Sequence, residues 1–294
     1  AGAEAGVRIA FTTDAFVVKP PVFPGGDIGR LAVCGTVNDL VAKGAVPLAM
    51  LASFILEEGL DLDLLETVAG SMRRAADEAL TSIVAGDTKV VERGGADGLF
   101  ISTAGLGLIR PGLDVGGANA RPGDAVLVTG TVGDHGTAVM NVREGLGLEG
   151  ELSSDVAPLA ALFLALVDLD LPLHVMRDPT RGGLATTVNE IAEASRVGIV
   201  LEELAIPVRR PVKTACALLG LDPLYVANEG KLVIVLPEAH AARALDRLRA
   251  HPSGREAALI GRVVDAPTGV TLRTSIGGLR PLMMLEGDQL PRIC

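Results

Sequence analysis

The chain has no tryptophan, one tyrosine and six phenylalanines among its 294 residues. Its core must therefore be built from Ala, Val, Leu and Ile, which suits sheets covered by helices. Few aromatic faces remain for stacking on bases, and a net charge of −10 argues against non-specific contact with nucleic acid. No run of about 18 apolar residues is free of charges or breakers, so no membrane span is expected. No basic-then-apolar secretory signal is present either, and a first residue of Ala rather than Met is expected of a trimmed or processed chain. The cysteines are three, Cys34, Cys216 and Cys294, an odd number whose spacing matches no zinc or disulfide pattern. A reducing cytoplasm is the simplest home for them. Cys34 and Cys216 lie in apolar helical contexts and read as ordinary buried thiols.

What is present is length for two domains, each with its own core, and strands interleaved with helices in both halves. A strand ends in Asp14 and resumes through Val18, and Asp27 caps a helix from Ile28 to Lys43 that carries Asn38-Asp39 in its interior. The apolar run Pro47 to Leu56 predicts a strand covered on both faces. Asp61 caps a second helix over 62–79, strand 82–85 empties into a Gly86-Asp87-Thr88-Lys89 turn, and strand 99–109 closes the unit. The turn signals at Arg110-Pro111-Gly112 and Arg121-Pro122-Gly123-Asp124 divide the chain. The expected organisation is an α+β fold with an N-terminal domain over 1–111, a C-terminal domain over 120–277 and a tail over 278–294. In the second unit, a strand over 125–129 leads to the glycine-rich Gly130 to Gly136, and a helix starts at Thr137. Further strands are expected at 173–176, 198–201, 231–236 and near Ile260 and Val270.

Candidate chemistry sits in the connections. Asp14, Asp39 and Asp87 are each ordinary turn or cap residues when taken singly. If the fold brings them within about 4–5 Å, each pair repels by roughly 3–4 kcal/mol at an effective dielectric near 20, and a cation is required. All-oxygen ligands favour Mg²⁺, which usually also holds substrate phosphates. Gly130 to Gly136 can present backbone N–H groups to an anion but lacks a P-loop ending, and a purely structural turn fits it as well. Within it His135 is the best placed of the histidines; His174 reads as packed, His240 and His251 as surface residues. Arg177-Asp178-Pro179-Thr180-Arg181-Gly182-Gly183 enters a helix N-terminus, and an N-cap with an ion pair fits it as well. The terminal Leu290-Pro291-Arg292-Ile293-Cys294 ends a stretch without sustained period. About fifteen extended residues reach roughly 50 Å, enough to carry a thiol across a domain or into a neighbouring subunit.

Taken together, these stretches resemble a known family. They are Phe11-Thr12-Thr13-Asp14, Phe23-Pro24-Gly25-Gly26-Asp27, Val37-Asn38-Asp39-Leu40, Gly86-Asp87-Thr88-Lys89, Gly130 to Gly136, Asp178 to Gly183, Ala227-Asn228-Glu229-Gly230-Lys231 and the terminal Pro291-Arg292-Ile293-Cys294. The chain is similar, over nearly its whole length, to the HypE family of hydrogenase maturation proteins in the PurM-like ATP-binding superfamily. The resemblance implies a homodimer formed through the N-terminal domain and ATP with Mg²⁺ bound between the domains. Asp14, Asp39 and Asp87 would be the metal ligands, with Gly86, Thr88, Asp178 and Arg181 beside the nucleotide. The implied activity is ATP-dependent dehydration of a carbamoyl group carried on Cys294. The carbamoyltransferase HypF loads that thiol, and the resulting S-cyanate supplies cyanide to the hydrogenase iron through a HypC–HypD complex.

Phosphorylating the carbamoyl oxygen lets it leave as phosphate, while a base removes the nitrogen's protons. Similarity suggests Glu229 and Lys89 for that step, with His135 close by. A lysine serves as base only where its pKa falls well below about 10.4. The resemblance also implies an upstream glycine-rich stretch and a further acidic motif, neither of which is found in this chain. Two readings of other classes stand beside the dehydratase: a non-catalytic carrier that ferries a group on Cys294, and a kinase or synthetase acting on a free small molecule.

Overall fold

The computed structural model describes residues 7–148 and 152–285. Its first unit is a four-stranded sheet made of β1 (Ile9–Phe16), β4 (Ala45–Glu57), β5 (Ile83–Val91) and β6 (Leu99–Ile109), in the order β1-β6-β4-β5. A short hairpin of β2 (Val22–Phe23) and β3 (Gly26–Asp27) precedes helix α1 (Ile28–Ala42), and α2 (Leu62–Glu78) crosses over between the parallel strands β4 and β5. Asp27 accepts hydrogen bonds from the backbone N–H groups of Gly29 and Arg30, so the expected cap forms. Asp61 likewise caps α2 through Asp63 N–H.

The second unit is a seven-stranded sheet in the order β13-β12-β9-β11-β7-β10-β8. Its strands are β7 (Asp124–Val128), β8 (Val175–Arg177), β9 (Gly198–Glu202), β10 (Val233–Pro237), β11 (Ala258–Val264), β12 (Gly269–Arg273) and β13 (Leu279–Pro281). The helices are α3 (Asp134–Arg143), α4 (Ala160–Val167), α5 (Gly183–Ser195), α6 (Arg210–Leu219) and α7 (Glu238–Arg249). Leu127, Ile234 and Leu236 join the cluster that contains α4 and α7, whereas Val126, Val128, Val233 and Val235 pack with α5. Every residue of β7 is buried.

The second unit keeps an apolar cluster of its own around Val126, Leu184 and Ile199, but the cores of the two units are not wholly separate. A single apolar cluster runs from Phe16, Leu31 and Met50 to Leu127, Phe163 and Leu248. The reason is α1, which packs on β1, β6 and α2 and also on α4 and β8. Apart from Arg30 and Asp39, every residue of α1 is buried, as an apolar helix enclosed on all sides requires. Arg30 bridges the units, donating to both carboxylate oxygens of Glu78 and to the carbonyl of Val156.

Three other expectations change. The run Pro47–Leu56 is a strand, but only one of its faces is covered: Leu48, Leu51 and Ile55 are exposed. An apolar run reports that a face must be covered, not that its own chain covers it. Gly86-Asp87-Thr88-Lys89 is not a turn, because β5 continues through it in parallel register with Ala52 to Ile55. Gly86 permits this: a Cβ there would lie 2.3 Å from the Ala52 carbonyl oxygen. Within the supposed tail, Leu279–Pro281 pairs antiparallel with β12.

Candidate active site

The alternation of β1 turns Ala10, Thr12, Asp14 and Phe16 toward α1. There Asp39 faces the strand, and Thr12 Oγ1 donates to its Oδ2 at 2.6 Å. From the second unit, the loop after β8 carries Asp178, Thr180 and Arg181, and the loop before β10 carries Glu229. These side chains meet in one cavity of about 570 Å³, lined also by Thr13, Gly35, Ser102 and Arg177. Two domains therefore supply one site.

The cavity is crowded with carboxyls. Burial raises Asp14 to about 6, and Asp39 and Asp178 push in the same direction while Arg181 opposes them. Burial and then Asp39 raise Asp178 to about 6 as well. Glu229, only 4 % exposed, is raised well above the ordinary carboxyl range by burial first and by Asp178, Asp155, Asp14 and Asp39 after it. Arg177, which bonds Glu190, and the exposed Arg181 are the cations of the rim. The site can thus hold a divalent cation with an attached polyanion, and can offer a carboxylate of raised basicity next to them.

Not every expected residue joins it. Asp14, in register with Thr103, Ala52 and Gly86, turns to the helix face, whereas Asp87 ends the opposite-face row of Ala15, Ser102 and Ser53, of which only Ala15 and Ser102, at the β1 edge, reach the cavity. β1 and β5 are also opposite edges of the sheet, three strand spacings or roughly 14 Å apart. The three expected metal ligands therefore do not assemble within one chain, and no group of three or more His, Cys, Asp or Glu is poised to hold a metal among the described residues. Gly86, Asp87 and Thr88 line a separate open cavity of about 630 Å³ between β4, β5 and α2. Lys89 is exposed on β5 beside Ile55.

His135 is a buried wall residue rather than a group open to the cavity. Its Nδ1 is 2.8 Å from Ser154 Oγ, and its ring meets Phe23 edge-on at 5.4 Å. Helix α3 begins at Asp134, earlier than expected, so His135 is held in its first turn. Cys294 lies outside the described residues. Sequence reasoning missed Asp155, which stands in an aperiodic Ser153-Ser154-Asp155 stretch that offers no pattern at all, whereas Arg177 belongs to the stretch already singled out before the helix and does reach the cavity.

The fold and the inter-domain carboxyl site define the class. Residues 2–109 match the N-terminal domain of AIR synthase related proteins and residues 121–273 match the C-terminal domain of that family, a PurM-like, two-domain architecture. Within that class the resemblance is close. A carbamoyl dehydratase HypE from Bradyrhizobium diazoefficiens is 56% identical over 290 residues, covering 98% of this chain and 84% of that protein. A crystal structure of the hydrogenase maturation protein HypE in complex with ATP superposes with a TM-score of 0.95 at 50% identity, over 100% of this chain and 89% of the other. A HypE–HypF complex superposes at 0.92 with 48% identity, over 96% and 92%. The chain belongs to the HypE family of hydrogenase maturation proteins.

Proposed function

We infer that this chain is the ATP-dependent carbamoyl dehydratase of nickel–iron hydrogenase maturation, acting on a carbamoyl group carried by its own Cys294. The observation that carries this reading is the inter-domain cavity, where Glu229 stands buried beside Asp14, Asp39, Asp178 and the rim arginines. Its family relatives are carbamoyl dehydratases about half identical to it.

The chemistry follows from the site. The carbamoyl oxygen attacks the γ-phosphoryl group of ATP and displaces ADP, and the oxygen then leaves the carbon as inorganic phosphate. One N–H proton passes to Glu229 and the other to the departing phosphate as the carbon–nitrogen bond becomes triple, giving S-cyanocysteine. Arg177 and Arg181 face the phosphates. Glu229 accepts a nitrogen proton, since burial has made its carboxylate a stronger base than a surface glutamate. Asp14 and Asp39 fit a magnesium ion, because their mutual repulsion in a half-buried site is what a divalent cation relieves. Magnesium, when bound, neutralises charge on the phosphates.

A homodimer completes the reading. The outer face of the four-stranded sheet exposes Ile9, Phe11, Leu51, Ile55 and Leu108, a continuous apolar surface that a second copy would cover. Asp87 and Lys89 lie on that same face, so a second copy's Asp87 becomes available as the third metal ligand and its Lys89 as the relay partner of Glu229. HypF loads the thiol and a HypC–HypD complex accepts the cyanide. Cys34 and Cys216 are free and buried, in keeping with a cytoplasmic home.

Intact mass provides the test. The chain is incubated with HypF, carbamoyl phosphate and ATP, then with Mg-ATP. A gain of one carbamoyl group followed by loss of one water is expected, and a Cys294→Ala chain should gain nothing. Loading that is never followed by water loss leaves a carrier and removes the dehydratase reading.

A further inference from the structure

The direction in which Glu229 enters the cavity is set by its backbone, and that backbone is tied on both sides. Asn228, fully buried, accepts from Gly133 N–H at 2.7 Å and donates to the Pro179 carbonyl at 2.9 Å, so the residue before Glu229 is fastened to the loop that bears Asp178. The Glu229 carbonyl accepts from Asn38 Nδ2 at 3.1 Å, and Asn38 Oδ1 accepts from Leu159 N–H. On the far side stands Asp155, whose side chain is 5% exposed. Its Oδ1 accepts from Glu229 N–H at 3.2 Å, while its Oδ2 accepts from Gly230 N–H at 3.3 Å and from Lys231 Nζ at 3.0 Å. A Cβ at Gly230 would lie 1.9 Å from the Asp155 carbonyl oxygen, so the two segments touch with no side chain between them.

We propose that Asp155 and Lys231 are positioning residues of the dehydration step: the Asp155 carboxylate, held in place by the Lys231 ammonium, takes two successive N–H groups and thereby aims Glu229 at the carbamoyl nitrogen. This rests on the reading of Glu229 as the proton acceptor given above. Neither residue lies on the cavity where the reaction occurs. Both line a different cavity of about 400 Å³, on the other side of the Glu229–Lys231 segment, with Arg209 and Arg255. Their action on the chemistry therefore passes through the backbone. Burial alone would raise the Asp155 carboxyl, but Lys231 and then His135 more than offset it and hold it below the ordinary range. An ionised acceptor makes the stronger bond to each N–H.

Removing one partner of a buried pair leaves a lone charge and endangers the fold, so the test uses double variants that remove both. Asp155→Leu with Lys231→Met deletes the pair and both acceptors. Asp155→Asn with Lys231→Met deletes the charges but keeps an amide oxygen for the Glu229 N–H. Loading of Cys294 by HypF, the KM for ATP and kcat for water loss are measured for each. The Leu/Met chain should load normally and keep its KM, with kcat down about 100-fold, as a misplaced catalytic group costs. The Asn/Met chain should recover to within about tenfold of the parent. Equal kcat in the two doubles, or a KM that rises in step with the fall in kcat, would overturn the clamp while the parent's own turnover left the dehydratase reading standing. A parent chain that loads but never loses water would remove both.

Discussion

The two sheets are treated differently by the same chain. The seven-stranded sheet is covered on both faces, by α4 and α7 on one side and α5 on the other, and its interior strand β7 has no exposed residue. The four-stranded sheet has helices on one face only and leaves Phe11 76% exposed on the other. The loops of the covered sheet bring Glu229 and Asp178 into one cavity, with the Asp155 carboxylate bonded to the Glu229 N–H behind them. The open sheet carries Asp14 on the face that α1 covers, where it meets Asp39 of that helix, and Asp87 and Lys89 on its bare face. An unfinished face and an unfinished ligand set occur together, which is what a site completed by a second copy requires.

The largest effect separates the faces directly. Ile234→Asp, in the covered sheet, buries an unpaired charge and should cost about 4 kcal/mol or more, abolishing the folded state in a thermal melt. Leu51→Asp, on the bare face, should leave a folded chain that elutes as a monomer and no longer dehydrates its substrate. Unfolding of both variants alike, or a Leu51→Asp chain that stays dimeric and active, would erase the distinction.

Next comes the proton acceptor on the covered side. Glu229→Gln should accept the carbamoyl group at the parent's rate yet lose water at least about 100-fold more slowly, read by intact mass. A smaller loss would pass the role to another group.

Mixing experiments sharpen the comparison further. Asp14→Asn and Asp87→Ala chains should each be inactive alone, yet after dissociation and re-association together they should regain about a quarter of the parent's activity. Half the dimers are then mixed and one of their two sites is intact. No recovery would mean that Asp87 serves the site of its own chain or none.

The smallest effect is on pH dependence. Asp14 and Asp178 stand at about 6 in the folded chain against an ordinary 3.8. A raised carboxyl binds its proton more tightly folded than unfolded, so its contribution is fully present below 3.8 and is lost as pH rises through about 6. Without nucleotide or cation, Asp178→Asn should therefore melt a few °C higher than the parent at pH 8, with the gain vanishing toward pH 4. A gain that is independent of pH would point to packing instead of charge.

Much of the framework was legible because its signals are local. Asp27 before Ile28, and the span of β6 from Leu99 to Ile109, follow from capping and alternation within a few residues. Asn38-Asp39 inside an apolar helix marked a site, and the structure explains the pair: Asp39 faces the cavity while Asn38 is spent on the Glu229 and Ala157 carbonyls. The start of β5 was legible as a strand over 82–85 but its continuation was not, since Gly86-Asp87 is turn chemistry in isolation and becomes strand only where β4 supplies a parallel partner. Asp155 was not legible either, because what it binds lies 74 and more positions away.

From its sequence alone the chain is a HypE-family protein of two PurM-like units, with a terminal cysteine and candidate carboxylates spread over both units. Those are properties of short motifs, and a motif keeps its residues together wherever the chain goes. Which carboxylates meet is a tertiary decision. Residues 14, 39, 178 and 229 converge because α1 is enclosed between both units, and Asp87 stands apart because strand order and a period of two put it on the other edge and the other face.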